Sequence, residues 1–127
     1  MSSEIHFGSC LCGGVSFEIS GALRPVIACH CGQCRKTSGH FWAATQVNDD
    51  QLRLKCDETL QWFRSSGTAK RGFCNACGSS LFWQMDGEGK TSIGAGVFET
   101  TDLETVKHIY VKDKGDYYDI ADGLPQS

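Results

Sequence analysis

The sequence predicts a mainly β chain, and three observations carry that expectation. Short alternating or β-branched runs recur along the whole length, bounded by Gly, Ser and Asp. Fifteen glycines against two prolines supply tight turns. Seven of the eight cysteines fall into three tight clusters, Cys10-x-Cys12, Cys29-x-Cys31-x-x-Cys34 and Cys74-x-x-Cys77, so that bound metal can tie short strands together.

Taken in order, the first strand is expected over 15–19, where Val15, Phe17 and Ile19 alternate with Ser16 and Glu18. The β-branched run 26–29 follows, leading into the middle cysteine cluster. A short helical turn is expected over 32–38, directly after that cluster. Further strands are expected over 41–47, 52–54, 60–63, 70–74, 80–83, 91–95 and 107–111. A second helical turn is expected near 101–105, capped by Asp102 or Thr101. Turns fall at Gly13-Gly14, Gly67, Gly78, Gly87-Glu88-Gly89 and Gly94-Ala95-Gly96. The last of these is not a phosphate loop, because no Lys-Ser/Thr follows it.

A chain of 127 residues fits one domain, 1–127. It buries roughly two-thirds of the surface exposed on unfolding, so metal cross-links would supplement a modest core. Net charge is −3, from twelve Lys and Arg against fifteen Asp and Glu, which gives no basic footprint for nucleic acid. No stretch reaches the ~18 apolar residues of a membrane span. Met1-Ser2-Ser3-Glu4-Ile5-His6 shows no basic leader or apolar run, so the expectation is a cytoplasmic protein whose thiols are reduced and metal-bound rather than paired as disulfides.

The cysteine spacings separate two kinds of site. Cys74-Asn75-Ala76-Cys77-Gly78 reads as a zinc knuckle, since the glycine permits the positive φ that turns backbone N–H groups toward sulfur. Cys10-Leu11-Cys12-Gly13-Gly14 is the free pair suited to complete it as a closed four-sulfur structural site. Lys70 and Arg71 have an electrostatic reason to lie near its surplus negative charge. Cys29, Cys31 and Cys34 offer three sulfurs, which fits a catalytic zinc with one open position. His30 tends to point away on an extended backbone. His40 and Cys56 are the candidates to approach as a fourth ligand and make this site structural as well. Two zinc ions are therefore expected. Elsewhere, Cys56 reads as a small apolar residue, and His6 and His108 as lone surface or core histidines. Phe41, Trp42, Trp62, Phe63, Phe82 and Trp83 read as core, with one or two walling a pocket.

With these motifs the chain resembles the glutathione-dependent formaldehyde-activating enzyme family, which includes the centromere protein V domain. The resemblance runs from Gly8-Ser9-Cys10-Leu11-Cys12-Gly13-Gly14-Val15 through Cys29-His30-Cys31-Gly32-Gln33-Cys34-Arg35-Lys36-Thr37-Ser38-Gly39. It continues at Phe63-Arg64-Ser65-Ser66 and Arg71-Gly72-Phe73-Cys74-Asn75-Ala76-Cys77-Gly78-Ser79, and ends at His108-Ile109-Tyr110-Val111 and Asp119-Ile120-Ala121-Asp122-Gly123-Leu124-Pro125. It implies a small zinc-binding fold of several coiled antiparallel β-sheets, shared with translationally controlled tumour protein and the B-type methionine sulfoxide reductases. It implies a structural zinc on Cys10, Cys12, Cys74 and Cys77, and a second zinc on Cys29, Cys31 and Cys34 where glutathione chemistry occurs.

The activity implied is carbon–sulfur lyase-like, joining or releasing formaldehyde and glutathione as S-hydroxymethylglutathione, or acting on another small thiol. Arg35, Lys36, Arg64 and Arg71 are the candidate contacts for substrate carboxylates. The competing reading is a non-catalytic thiol carrier or zinc-stabilised scaffold. Methionine sulfoxide reduction is disfavoured because no cysteine follows Cys77.

Overall fold

In the computed structural model of the chain, residues 4–99 and 101–127 are described. Met1 to Ser3, which contribute to the expectation about the chain start, lie outside them. Ten strands and one α-helix follow one another as β1 (Ile5–Ser9), β2 (Ser16–Ser20), β3 (Val26–Cys29), α1 (Gly32–Ser38), β4 (Trp42–Asn48), β5 (Leu52–Cys56), β6 (Leu60–Arg64), β7 (Ala69–Cys74), β8 (Ser80–Met85), β9 (Lys90–Gly94) and β10 (Thr105–Ile109). They form a three-stranded sheet, β1-β2-β5, and a seven-stranded sheet, β10-β3-β4-β9-β8-β7-β6. The mainly β expectation holds. No helix among the described residues is long and apolar enough to cross a membrane.

Alternation explains which faces are buried. Phe17 and Ile19 of β2 point inward and are almost wholly covered, while Ser16 and Glu18 face out. With Cys10 and Val15 they meet Val47, Leu81, Phe82 and Ile93 of the larger sheet, and Phe98 from the segment after β9, in one apolar core. Phe17 sets its ring edge-on to Phe82 at 5.2 Å and Phe98 at 5.8 Å.

Strand β1 is absent from the sequence expectation, for a visible reason. Its apolar residues Ile5 and Phe7 face outward, 51% and 63% exposed, and the inward position is Gly8. The Phe17 ring fills the space where a Cβ on Gly8 would stand. The expected helical turn at 101–105 does not form. Leu103 N–H donates to Thr101 Oγ1 in a local turn, and Thr105 opens β10 instead. β10 pairs with β3 in parallel, the exception among otherwise antiparallel neighbours, and this pairing overrides the local helical signal.

The end of the chain returns to the same edge. His108 N–H donates to Pro125 O, Ser127 N–H to His108 O, and Val111 N–H to Ser127 O. Phe63, expected in the core, is 63% exposed. Trp62 is the residue of that pair that turns inward, to stack on Phe82.

Candidate metal centres

Two turns bring four sulfurs together. Cys10 and Cys12 lie in the connection from β1 to β2, while Cys74 ends β7 and Cys77 lies in the turn to β8. Their Sγ atoms all lie within 4.8 Å of one another. Cys10 is 3.7 Å from Cys12, and Cys12 is 3.6 Å from Cys74. Two thiolates at about 2.3 Å on a tetrahedral ion stand about 3.8 Å apart, so this donor set fits zinc without rearrangement. Disulfide bonding would need about 2.05 Å.

Hydrogen bonds favour the thiolate at Cys74 and Cys77, whereas Cys12, although the Gly14 backbone acts to lower it, is pushed up to about 11 by its hydrogen bonds with Cys74 and Cys10. Val15 N–H donates to Cys10 Sγ and Cys77 N–H to Cys74 Sγ, each at 3.3 Å, and Thr59 Oγ1 lies 3.1 Å from Cys74 Sγ. The Ser79 hydroxyl, 3.2 Å from Cys77 Sγ, leads the interactions that push that thiol down to about 5. Gly78 has φ +82°, as the knuckle reading requires.

The second cluster is local. Cys29 ends β3, Cys31 caps α1 by accepting the Cys34 N–H at 3.3 Å, and Cys34 lies in the helix's first turn. The three Sγ atoms lie within 4.8 Å of one another, and no further Cys, His, Asp or Glu ligand atom joins them among the described residues. Hydrogen bonding from Cys29, then from Cys31 and Arg71, sets the Cys34 thiol down to about 6. Cys29 moves the opposite way, because the shared Cys34 hydrogen bond and burial both oppose its ionisation. Arg71 is 7% exposed and donates from Nη2 to Cys34 Sγ at 3.5 Å, with its guanidinium 5.8 Å from the Trp42 ring. It stands at the three-sulfur cluster, whereas Lys70 lies over Trp62.

These sulfurs open onto a cavity of about 620 Å³ on one face of the large sheet. Cross-strand register explains the lining: Gln46 pairs with Ser92, Ser92 with Trp83, and Trp83 with Arg71. The row spans four neighbouring strands, and across it the long side chain of Arg71 on β7 reaches Trp42 on β4. Trp42, Ala44 and Ile27 make an apolar wall.

A sequence model of the family described as glutathione-dependent formaldehyde-activating enzyme matches residues 5–113. The chain belongs to that family. An uncharacterized lyase of Schizosaccharomyces pombe is 28% identical over 117 residues, covering 90% of this chain and 84% of that one. A Halomonas elongata protein whose name assigns it provisionally to glutathione-dependent formaldehyde activation is 32% identical over 87 residues, 62% of this chain and 55% of that one. A Rhodobacter sphaeroides protein of known crystal structure shares the fold, with a TM-score of 0.65 over 95% of this chain and 99% of that one, at 22% identity.

Within this family member the remaining candidates are placed as follows. Cys56 donates its S–H to Gly14 O at 3.3 Å on β5, and exposed His40 packs on Phe41 and Tyr118, so neither joins the three sulfurs. Arg64 makes a two-pronged exposed ion pair with Asp86. Arg35 has its Nε buried without a hydrogen-bond partner, and Lys36 is exposed; neither lines the cavity.

His30 points away from the sulfurs, as expected. It shares hydrogen bonds with Tyr118 OH at 2.6 Å and His108 Nδ1 at 2.8 Å, and His108 Nε2 meets Asp122 Oδ2 at 2.8 Å. His108 is thus one link of a hydrogen-bonded chain that runs from buried His30 to exposed Asp122, rather than a lone histidine. Motif spacing does not show that His30, His108, Tyr118 and Asp122 form one network, because they meet only in the fold, and it misses Arg24, Gln46 and Ser92 in the cavity lining, which lie outside every motif.

Proposed function

We propose that this chain acts as one zinc-binding domain whose three-sulfur site does carbon–sulfur lyase-like chemistry on an adduct of glutathione or another small thiol. One observation carries the reading: three convergent cysteine sulfurs face a cavity beside a buried guanidinium, with no fourth ligand among the described residues. Cys10, Cys12, Cys74 and Cys77 would hold a structural zinc, and Cys29, Cys31 and Cys34 a second one. Zinc at the second site would supply Lewis acidity that keeps an incoming thiol ionised at neutral pH.

In the joining direction, a thiol sulfur bonds to the formaldehyde carbon, the C=O π pair moves to oxygen, and the proton given up by the thiol ends on that oxygen. Cleavage is the reverse. In this reading Arg71, which donates to Cys34 Sγ and lies near the Trp42 ring, would stabilise negative charge on sulfur or oxygen. The family's name supports glutathione as the thiol, with another small thiol as the alternative, and the expected compartment is the cytosol, where cysteines stay reduced.

Cobalt(II)-substituted protein tests this. Glutathione should change its visible spectrum, whereas S-methylglutathione, which has no thiolate to offer, should do far less. No change with any thiol, or an equal loss of second-metal affinity in Cys31→Ser and His40→Ala, sinks the open-site reading.

A carrier that holds the thiol without chemistry is favoured by a different observation. No His, Asp or Glu lines the cavity among the described residues, so a general acid or base would have to come from water or Tyr110. The rate of S-hydroxymethylglutathione breakdown with and without protein separates the two.

A further inference from the structure

The cavity has a second cation, and the sequence motifs do not include it. Arg24 lies between β2 and β3, where the buried Thr45 hydroxyl donates to its backbone carbonyl. Its side chain turns into the cavity lining. Nη2 donates to Ala44 O at 2.9 Å and Nε to Pro25 O at 3.2 Å. These bonds fix the plane of the guanidinium and, among the described residues, use two of its five N–H donors, leaving the Nη1 pair and one Nη2 proton. Among the described residues Arg24 makes no ion pair, although Arg64 on the open surface makes one. A partly buried, pre-oriented cation without a carboxylate is costly by itself and matches a planar anion in two-pronged geometry.

Its position relative to the sulfurs follows from register. Trp42 pairs with Cys29 and Ala44 with Ile27, so the Ala44 carbonyl that holds Arg24 is two residues along β4 from the Cys29 level. That is roughly 7 Å. A carboxylate one residue beyond a cysteinyl sulfur lies within such a reach. Of the four cations that motif reasoning nominates, Arg71 alone lines the cavity, at the sulfur end. Arg24 supplies the second pole.

We propose that Arg24 is the specificity-determining anchor for a carboxylate on the tail of the thiol bound at Cys29, Cys31 and Cys34. The inference rests on the thiol-binding reading above and narrows it to thiols that carry a carboxylate. Calorimetric titration of the zinc-loaded protein with glutathione and with glutathione diethyl ester, whose carboxylates are masked, tests it. The wild type should prefer glutathione by about tenfold or more. Arg24→Gln should bind both with the weaker affinity, abolishing the preference, and Arg24→Lys, which keeps charge but loses the fork, should fall between.

A preference that survives in Arg24→Gln overturns the proposal, as does an equal weakening toward both ligands. If Arg24→Gln does not fold, Arg24→Lys decides, and an unchanged preference in it counts against the anchor. A wild type that binds neither ligand defeats the thiol reading itself, a result distinct from any behaviour of the variants.

Discussion

Single residues already separate the two cysteine clusters. Cys74 is wholly buried and ties β7 to the loop that precedes β2, so Cys74→Ser should cost the fold with its metal. Cys31→Ser should remain folded and retain about one metal per chain, counted by elemental analysis beside circular dichroism. A subtler test lies at Gly14, where an added Cβ would collide with Thr59 Oγ1, the hydroxyl beside Cys74 Sγ. Gly14→Ala should destabilise by about 1–3 kcal/mol in thermal unfolding, and Thr59→Ala in the same chain should recover part of the loss. The cysteines were legible in the sequence because ligand spacing is local and chemically specific. Arg24 was not, since a single arginine before a proline carries no pattern; its meaning arises only when Ala44 and the cavity are beside it.

At the scale of elements, β10 and the C-terminal segment behave as a clasp on β3. Asp122 holds His108, His108 holds His30, and His30 sits between Cys29 and Cys31. Removing one link leaves a buried ring nitrogen of His30 or His108 without its partner, at about 1–3 kcal/mol for each such atom. The His108 hydrogen bond keeps the Asp122 carboxyl below its ordinary value of 3.8, so the folded state binds fewer protons than the unfolded one as the pH falls past that value. Its contribution is complete above about pH 4 and is lost as pH falls through the folded value. Asp122→Asn should therefore speed proteolysis of residues 115–127 at pH 7, and the wild-type advantage should shrink in acid. Equal cleavage of both proteins at pH 7 would refute the clasp. Most strands were legible from alternation. β1 was hidden by its glycine and by the outward-facing Ile5 and Phe7, and β10 by turn-like residues at 101–104 that only the pairing with β3 resolves.

For the whole molecule, the sequence conveyed the class of fold but not the strand order of the large sheet that brings Arg71 to Trp42, because β4 and β7 are joined only through pairings between strands distant in sequence. Mass measurement under denaturing, non-reducing conditions with chelator should find eight free thiols, matching the sulfur separations, and native disulfides would contradict the metal reading. The four-sulfur cluster also spans a long interval of chain, since Cys12 and Cys74 are 62 residues apart, whereas Cys29 to Cys34 is one short segment. During synthesis the short segment can capture an ion soon after it leaves the ribosome, while the distant pair must wait for Cys77 and then close the long loop against its entropy. The ion that matters most to the finished fold is thus the one acquired late, and when metal is scarce the nascent chain's first capture competes with its own completion.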